Sequence, residues 1–435
     1  MTSSTATQLR ELLENLLQAP LPVRLRAWDG SETGPTGTPV LIVRNRRAVR
    51  RLVWRPDELG LARAYVSGDL DVEGDLFAAL DRLATLIFRG ADAHGLPKRA
   101  VAAELMRLGL LGPHPKPPPE EITMRGSRHS RGRDRRAISH HYDVGNDFYR
   151  LVLGESMVYS CAYWTGTDAG YRLADAQRDK LDLICRKLGL EPGLRLLDVG
   201  CGWGSLALHA ARAYGVDVVG ITLSAEQADH ARKQVAEAGL AAHVEIRIQD
   251  YRDLDDGPFD AIASIGMAEH VGAGHYAAYA ATLFRQLKAG GRLLNHQIAK
   301  LRQPPPGERK RRSFIDAYVF PDGELAPLAT TVSLLEEAGF EVRDVQALRE
   351  HYARTLRAWV GNLEAAWSTA VGLAGPGRAR VWRLYLAASA LSFERGRIGV
   401  NQVLCVRARH DGSSGLAATR KDWEPCGIHP AVGSP

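Results

Sequence analysis

Cysteine is scarce in this sequence: five residues in 435, at 161, 185, 201, 405 and 426, odd in number and without C-x-x-C spacing. A disulfide framework or a zinc centre is therefore not expected, and no metal site is assigned. No run of eighteen apolar residues occurs, which excludes a membrane-spanning helix. The N-terminus, MTSSTATQLRELLENLL, lacks a basic region followed by an apolar one, so it does not read as a secretory signal. The cytoplasm is the default compartment. Also missing is the dinucleotide spacing G-x-G-x-x-G, which argues against a pyrophosphate cofactor.

What is present is an ordinary globular composition, 45% apolar and 24% charged, long enough for two or three domains. The net charge of +6 is concentrated locally. Arg125, Arg128, Arg131, Arg133, Arg135 and Arg136 fall within twelve residues, and 309–312 reads RKRR. Such clusters fit an anionic partner, either phospholipid headgroups or nucleic acid, and equally a solvated loop. Charge alone does not choose.

The chain is organised around RLLDVGCGWG, from Arg195 to Gly204. An apolar strand is followed by Asp198 and then by Gly200, Gly202 and Gly204, and a largely apolar helix starts at once. Glycine lets a backbone turn sharply and approach a ligand closely. A glycine turn between a strand and a helix N-terminus is where α/β folds hold nucleoside-like cofactors.

Taken in order, residues 1–113 read as a separate unit of helices and short strands, with a glycine-acid turn between two helical patterns in 58–83, and 114–137 as a linker rich in proline and arginine. From 138 to 409 the pattern alternates strand and helix, as a doubly wound sheet requires. VDVVGITLS, VEIRIQD, FDAIASIG and GGRLLNHQI are its second to fifth strands. Ser224 is the expected N-cap of the helix after the second strand, with Gln227 at the capping-box position. Asp250 and Tyr251 end the third strand, Glu269 and His270 follow the fourth, and His296 lies near the end of the fifth. Ligands of open α/β sheets sit outside the carboxyl ends of the strands, so these residues converge on one rim. Residues 301–325 read as an insertion covering that rim. VNQVLCVRA reads as a closing strand, and 410–435 has a disorder-like composition.

The D-x-G-x-G-x-G turn resembles the first motif of S-adenosylmethionine-dependent methyltransferases. Together with HHYDVGNDFY, MVYSCAYW, VVGITLSAEQ, QDYRDL, SIGMAEHVG, AYVFPDGEL and LRAWVGNLEAAW, it resembles the cyclopropane-fatty-acyl-phospholipid synthase family. That family includes the mycolic acid cyclopropane synthases and the related 10-methylene-stearate-forming enzymes. The resemblance implies an α/β class I methyltransferase fold, a Rossmann-like doubly wound sheet, with a smaller α+β N-terminal domain that docks lipid. It also implies S-adenosylmethionine as cofactor, with contacts from Tyr159, Ser160, Gly200, Gly202, Thr222, Gln227 and Tyr251. Asp198 would orient the glycine loop or touch the cofactor.

In this family a bound bicarbonate takes the proton released during reaction. By position its ligands here would be Cys161, Glu269, His296, Tyr352 and the backbone of Ile298. Taken singly, Cys161 is a small buried hydrophobe, His296 a core histidine, Glu269 a helix N-terminal acid and Tyr352 a packing residue. Each standing in its family motif reverses that reading.

The implied activity is transfer of a one-carbon unit to the cis double bond of unsaturated phospholipid acyl chains, giving a cyclopropane. Ser389 stands where many cyclopropane synthases carry cysteine, and the combination of FIDAYVFPDGEL, HYARTLRAW and LYLAAS…FER looks closer to relatives that form a 10-methylene chain by the same carbocation chemistry. Two further readings stay open. One is a small-molecule or nucleic-acid methyltransferase, although the N/D-P-P-Y signature of amino-methylating enzymes is absent; the other is a lipid-binding relative without turnover. The expected partner is a phospholipid membrane surface with unsaturated acyl chains, not nucleic acid. The expected location is cytoplasmic, peripheral to the inner membrane face, and the family allows a homodimer.

Overall fold

The computed structural model describes residues 3–89, 105–106, 108–110, 112–124, 126–142, 144–301 and 312–423. Arg125, most of the RKRR run, Cys426 and the tail beyond 423 lie outside the described residues. Among the described residues no helix is long and apolar enough to cross a membrane. The chain divides into two compact units.

The first unit takes in the chain up to Thr123 together with 312–321 and 367–391. Its elements are α1 (Thr5–Leu17), β1 (Arg24–Arg26), β2 (Glu32–Thr33), β3 (Val40–Val43), α2 (Arg46–Trp54), α3 (Glu58–Val66), β4 (Leu70–Glu73) and α4 (Leu76–Arg89). The strands form a sheet of order β2-β1-β3-β4. Leu9, Leu12, Leu25, Leu41, Val49 and Leu70 fill its core. β4 lies where the sequence suggested only a glycine-acid turn. Its Leu-Asp-Val-Glu alternation has the two-residue period of a half-buried strand, and it pairs antiparallel with β3. Helix Pro376–Glu394 belongs largely to this unit. Arg380 donates to the carbonyls of Tyr65 (2.7 Å) and Leu70 (2.9 Å).

The second unit holds 124–301, 322–366 and 392–423 of the described residues. It opens with α5 (Arg131–Tyr142), α6 (Asn146–Leu153) and α7 (Leu173–Leu188). The stretch expected as a linker thus ends in a helix. α5 is held by ion pairs: Arg133 to Asp322 at 2.6 Å, Arg131 to Asp253 at 2.8 Å, and Asp134 to Arg252 at 3.0 Å. Arg133 is therefore committed within the protein.

The sheet then runs β5 (Arg195–Val199), α8 (Ser205–Tyr214), β6 (Asp217–Thr222), α9 (Ala225–Glu237), β7 (Val244–Ile248), β8 (Phe259–Ile265), α10 (Tyr276–Gln286), β9 (Leu287–Lys300), α11 (Leu328–Glu337), β10 (Glu341–Ala347), α12 (Arg349–Ala365) and β11 (Ile398–Val406). Its strand order is β10-β11-β9-β8-β5-β6-β7. β11 alone runs antiparallel to its neighbours.

Successive residues feed opposite faces, as a strand's period of two requires. Leu196, Val218, Ala261, Leu294 and Leu404 pack on one side; Leu197, Val219, Ile262, Leu293 and Val403 pack on the other. Both faces are apolar because both are covered by helices. The strand order reverses at β5, whose neighbours are β6 and β8, and that reversal opens a crevice at their carboxyl ends.

The tail expected to be disordered from 410 carries structure as far as Trp423. The indole of Trp423 packs against the sheet's helical face and donates to the carbonyl of Ala417 at 2.8 Å.

Candidate active site

The glycine loop leaves β5 at the crevice and enters α8. Gly200, Gly202 and Gly204 all have positive φ, 80°, 55° and 84°. Only residues without a Cβ adopt such angles freely. Gly200 and Cys201 donate backbone hydrogen bonds to the carbonyl of Ile221 at 2.9 and 3.0 Å, which ties the loop to the end of β6. Trp203 donates from its indole to Asn146 Oδ1 at 2.7 Å, anchoring the loop to α6.

A cavity opens beside this loop. It is lined by Tyr159, Ser160, Asp198, Gly200, Gly202, Thr222, Gln227 and Tyr251, the whole set expected to contact the cofactor. Thr222 Oγ1 donates to Gln227 Oε1 at 2.9 Å. Ser224 Oγ accepts from the Gln227 N–H at 3.3 Å as the N-cap of α9. Only half of the expected capping box forms, because the Gln227 carboxamide turns toward Thr222 instead of back to the cap.

Asp198 is buried, and burial raises its pKa to about 7, with the Lys180 charge pulling the other way. Lys180 is itself buried and lowered to about 8 by burial. Its Nζ donates to Ser160 Oγ at 3.0 Å. Gln177, one turn earlier on α7, donates to the carbonyl of Ser160 at 3.0 Å. This pair on the inner face of α7 sets the position of the 157–161 segment. Aromatic rings crowd the same region: Tyr159 stacks on His141 at 5.7 Å, and Tyr149 lies 4.6 Å from Trp203. Of the rings in this region, Tyr142, Tyr159 and Trp203 line the cavity.

The five residues expected to hold bicarbonate are tied to the backbone around β9 and β11. Cys161 Sγ contacts the carbonyl of Leu348 at 3.6 Å, and the Tyr352 N–H donates to that same carbonyl at 3.1 Å. Leu348 donates to the carbonyl of Val400 at 2.9 Å, and Val400 is the register partner of Ile298 across β11 and β9. The Ile298 N–H donates to Glu269 Oε1 at 2.7 Å. His296 precedes Ile298 by two residues and so shares its face of β9. Ala162 and Trp164 are pinned to α12 through Thr355 Oγ1, each at 3.1 Å.

Two buried polar atoms here have no partner: Glu269 Oε2 and His296 Nε2. Buried polar groups are ordinarily satisfied, so unpaired ones mark a place for a ligand. Burial raises Glu269 to about 7 and lowers His296 to about 3. Glu269 can therefore carry a proton near neutrality, and His296 is neutral. A protonated carboxyl and an imidazole N–H are the donor set a small anion needs. Cys161 is fully buried and burial pushes its thiol pKa up, so it also keeps its proton. Glu269 Oε2 and His296 Nε2 fit a small anion such as bicarbonate, with one difference from the expected set: the Ile298 N–H is already used by Glu269. Among the described residues no cluster of metal ligands occurs.

Sequence reasoning passed over Lys180, Gln177, Lys187 and Gln402. The first two were legible as polar residues one turn apart on an otherwise apolar helical face. Gln402 was not, since only the register of β11 against β9 places it beside His296.

The seven-stranded sheet, its glycine loop and its crevice define a class I methyltransferase fold. The chain belongs to the mycolic acid cyclopropane synthetase family, whose model matches residues 129–403. Its similarity to a "probable fatty acid methyltransferase" of Mycobacterium tuberculosis is 42% identity over 412 residues, covering 93% of this chain and 95% of that protein. With the cyclopropane-fatty-acyl-phospholipid synthase of Escherichia coli it is 40% over 272 residues, covering 62% and 68%. The crystal structure of a mycolic acid cyclopropane synthase complexed with SAH and CTAB superposes with a TM-score of 0.58 at 36% identity, over 62% of this chain and 97% of that one.

Proposed function

We propose that this chain transfers a one-carbon unit from S-adenosylmethionine to the cis double bond of an unsaturated phospholipid acyl chain. The observation that carries the reading is the pairing of a nucleoside-type cavity with a neighbouring group of unpaired buried donors. When bound, S-adenosylmethionine supplies an electrophilic methyl group and bicarbonate a weak base, which together meet the needs of adding carbon to an alkene with loss of a proton.

The protein's own groups do the rest. Thr222 and Gln227 stand at the end of the second strand, where nucleoside folds bind ribose hydroxyls. The glycine loop and Ser160 border the cavity at the switch point. Glu269 and His296 present donors toward a small anion, and such preorganised donors stabilise charge without reorganising during reaction. The Tyr159 and Trp359 rings, 5.5 Å apart, offer π faces to positive charge developing on the acyl chain. Their apolar surroundings keep water from that charge.

The leading product is a cyclopropane, formed by loss of a proton from the added methyl group with ring closure. A second reading, a methylene-branched chain formed after hydride shift, is favoured by the near full-length similarity to a protein named for fatty acid methyl transfer. The first unit and the arginine clusters would meet the membrane surface. Expression in a bacterial host lacking its own synthase, with oleate supplied, tests both through lipid mass spectrometry. A gain of one CH2 that resists hydrogenation supports the ring, and a gain that takes up hydrogen supports the methylene. No gain in mass overturns the proposed activity.

A further inference from the structure

We propose that Lys187 and Gln402 are positioning residues that hold His296 in its Nε2–H tautomer and so aim an N–H donor at the anion. The inference rests on the reading above that His296 serves a bound bicarbonate, although its first test does not.

The geometry is a directed chain. Lys187 Nζ donates to Gln402 Oε1 at 2.9 Å and to Gln346 Oε1 at 2.6 Å. Gln402 Nε2 lies 3.3 Å from His296 Nδ1. A lysine amine donates whether charged or neutral, and an ammonium accepts from nothing. The Gln402 carboxamide is therefore turned with its oxygen to Lys187, and its NH2 faces the imidazole. An NH2 group only donates, so His296 Nδ1 must accept, and the ring proton resides on Nε2.

Gln402 is fully buried and His296 is 2% exposed, so water cannot substitute for either partner. The two are direct register partners on β11 and β9, and backbone pairing therefore fixes their spacing. Asp344 and Arg420 also face Lys187: Asp344 Oδ2 lies 3.6 Å away, and Arg420 in turn pairs with Asp344. That carboxylate holds the lysine head on the Gln402 side. The unpartnered His296 Nε2 is the free end of this chain. Without a fixed amide the imidazole would exchange tautomers, and an anion would meet a lone pair for part of the time.

The test is nitrogen-15 NMR of the full-length chain with labelled histidine, the His296 signals being assigned from the His296→Ala spectrum. At neutral pH the expected pattern is a neutral ring protonated on Nε2. A ring protonated on Nδ1, or an imidazolium, overturns the proposal whatever the enzyme does with bicarbonate. In Lys187→Met and Gln402→Met the pattern should shift toward a tautomer mixture, and in Lys187→Arg it should return. A folded variant, judged by near-ultraviolet dichroism, with an unchanged tautomer overturns the relay.

In activity assays the bicarbonate concentration for half-maximal rate should rise about tenfold in Lys187→Met, equivalent to about 1.4 kcal/mol. A Nε2–H ring in an enzyme indifferent to bicarbonate supports the positioning role and overturns the bicarbonate reading alone.

Discussion

The carboxylate of Glu269 accepts the backbone N–H of Ile298 at 2.7 Å, bridging the turn after β8 to the last residues of β9. This bond orients Glu269 so that one oxygen is satisfied and the other, Oε2, is buried and unpaired. Replacing the group with an amide keeps the bridge and removes the titration.

Glu269→Gln should therefore fold, and its stability should depend less on pH than the parent's. Burial holds the Glu269 pKa at about 7 against an ordinary 4.5, so the folded state binds this proton more tightly than the unfolded chain. That contribution is complete below about pH 4.5 and is lost as pH rises to 7. Relative to the parent, the variant should gain up to about 3 kcal/mol across that window, at about 1.4 kcal/mol per pKa unit. Urea unfolding at several pH values measures it, and parallel pH profiles would contradict the burial argument. The amide NH2 stands where Oε2 was and still donates toward the anion, so methyl transfer should lose the pH dependence that titration of Glu269 gives it and not the donor itself.

Thr222→Val tests the cofactor cavity from its rim. The hydroxyl donates to Gln227 Oε1 at 2.9 Å and accepts from the Ser224 N–H at 3.2 Å. Valine keeps the shape but strands both partners in a buried place, which costs about 1–3 kcal/mol. It also releases Gln227 from its orientation. The Kd for S-adenosylmethionine, by calorimetry, should rise about tenfold, or about 1.4 kcal/mol. Unchanged affinity would remove Gln227 from the cofactor contacts.

The cavity was legible in the sequence because its residues cluster in short segments around sharp local signals: a glycine turn, a strand end, a helix cap. Glu269 and His296 were legible as polar residues past strand ends. Partners set by sheet register were not. Asn401 and Gln402 lie inside the apolar run of β11, and nothing local says which strand they will face or in what phase. β4 was missed for a related reason: four residues with two acids look like a turn until β3 supplies a pairing edge. The half-formed capping box shows tertiary context prevailing over a local motif, since Thr222 offers Gln227 a nearer partner.

In the first unit, Asp69→Asn should be the most damaging single polar change. Asp69 is 1% exposed and accepts from Asn45 (2.8 Å), Ser67 (2.9 Å), Arg47 (3.0 Å) and Arg51 (3.1 Å). Burial pushes its pKa up, but hydrogen bonds from Asn45, Arg51 and Ser67 outweigh it and leave the pKa below the ordinary 3.8. Its stabilisation is thus present above about pH 3.8 and is lost as pH falls through the depressed value. Removing the charge leaves Arg51, 9% exposed, uncompensated, at a cost of about 3–5 kcal/mol. Thermal unfolding of the full chain at neutral pH checks this. A loss under 1 kcal/mol would show that Lys116, whose carbonyl accepts from Arg51 at 2.8 Å, suffices.

Gly202→Ala and Gly204→Ala separate the two roles of the glycine loop. Both positions have positive φ, so each substitution carries backbone strain of about 1–2 kcal/mol. At Gly204 an added Cβ would stand 2.9 Å from the Ala231 Cβ on α9, inside the core between α8 and α9. That clash adds an overpacking cost of about 1–3 kcal/mol, so Gly204→Ala should be the less stable variant by urea unfolding. At Gly202 nothing of the protein lies within 4 Å of the new methyl group. The residue lines the cavity, and the open space there is what a cofactor would fill. Gly202→Ala should therefore unfold within about 2 kcal/mol of the parent while binding S-adenosylmethionine at least tenfold more weakly. If Gly202→Ala instead bound normally, the cofactor would have to lie elsewhere along the crevice, and the roles assigned to Thr222 and Gln227 would move with it.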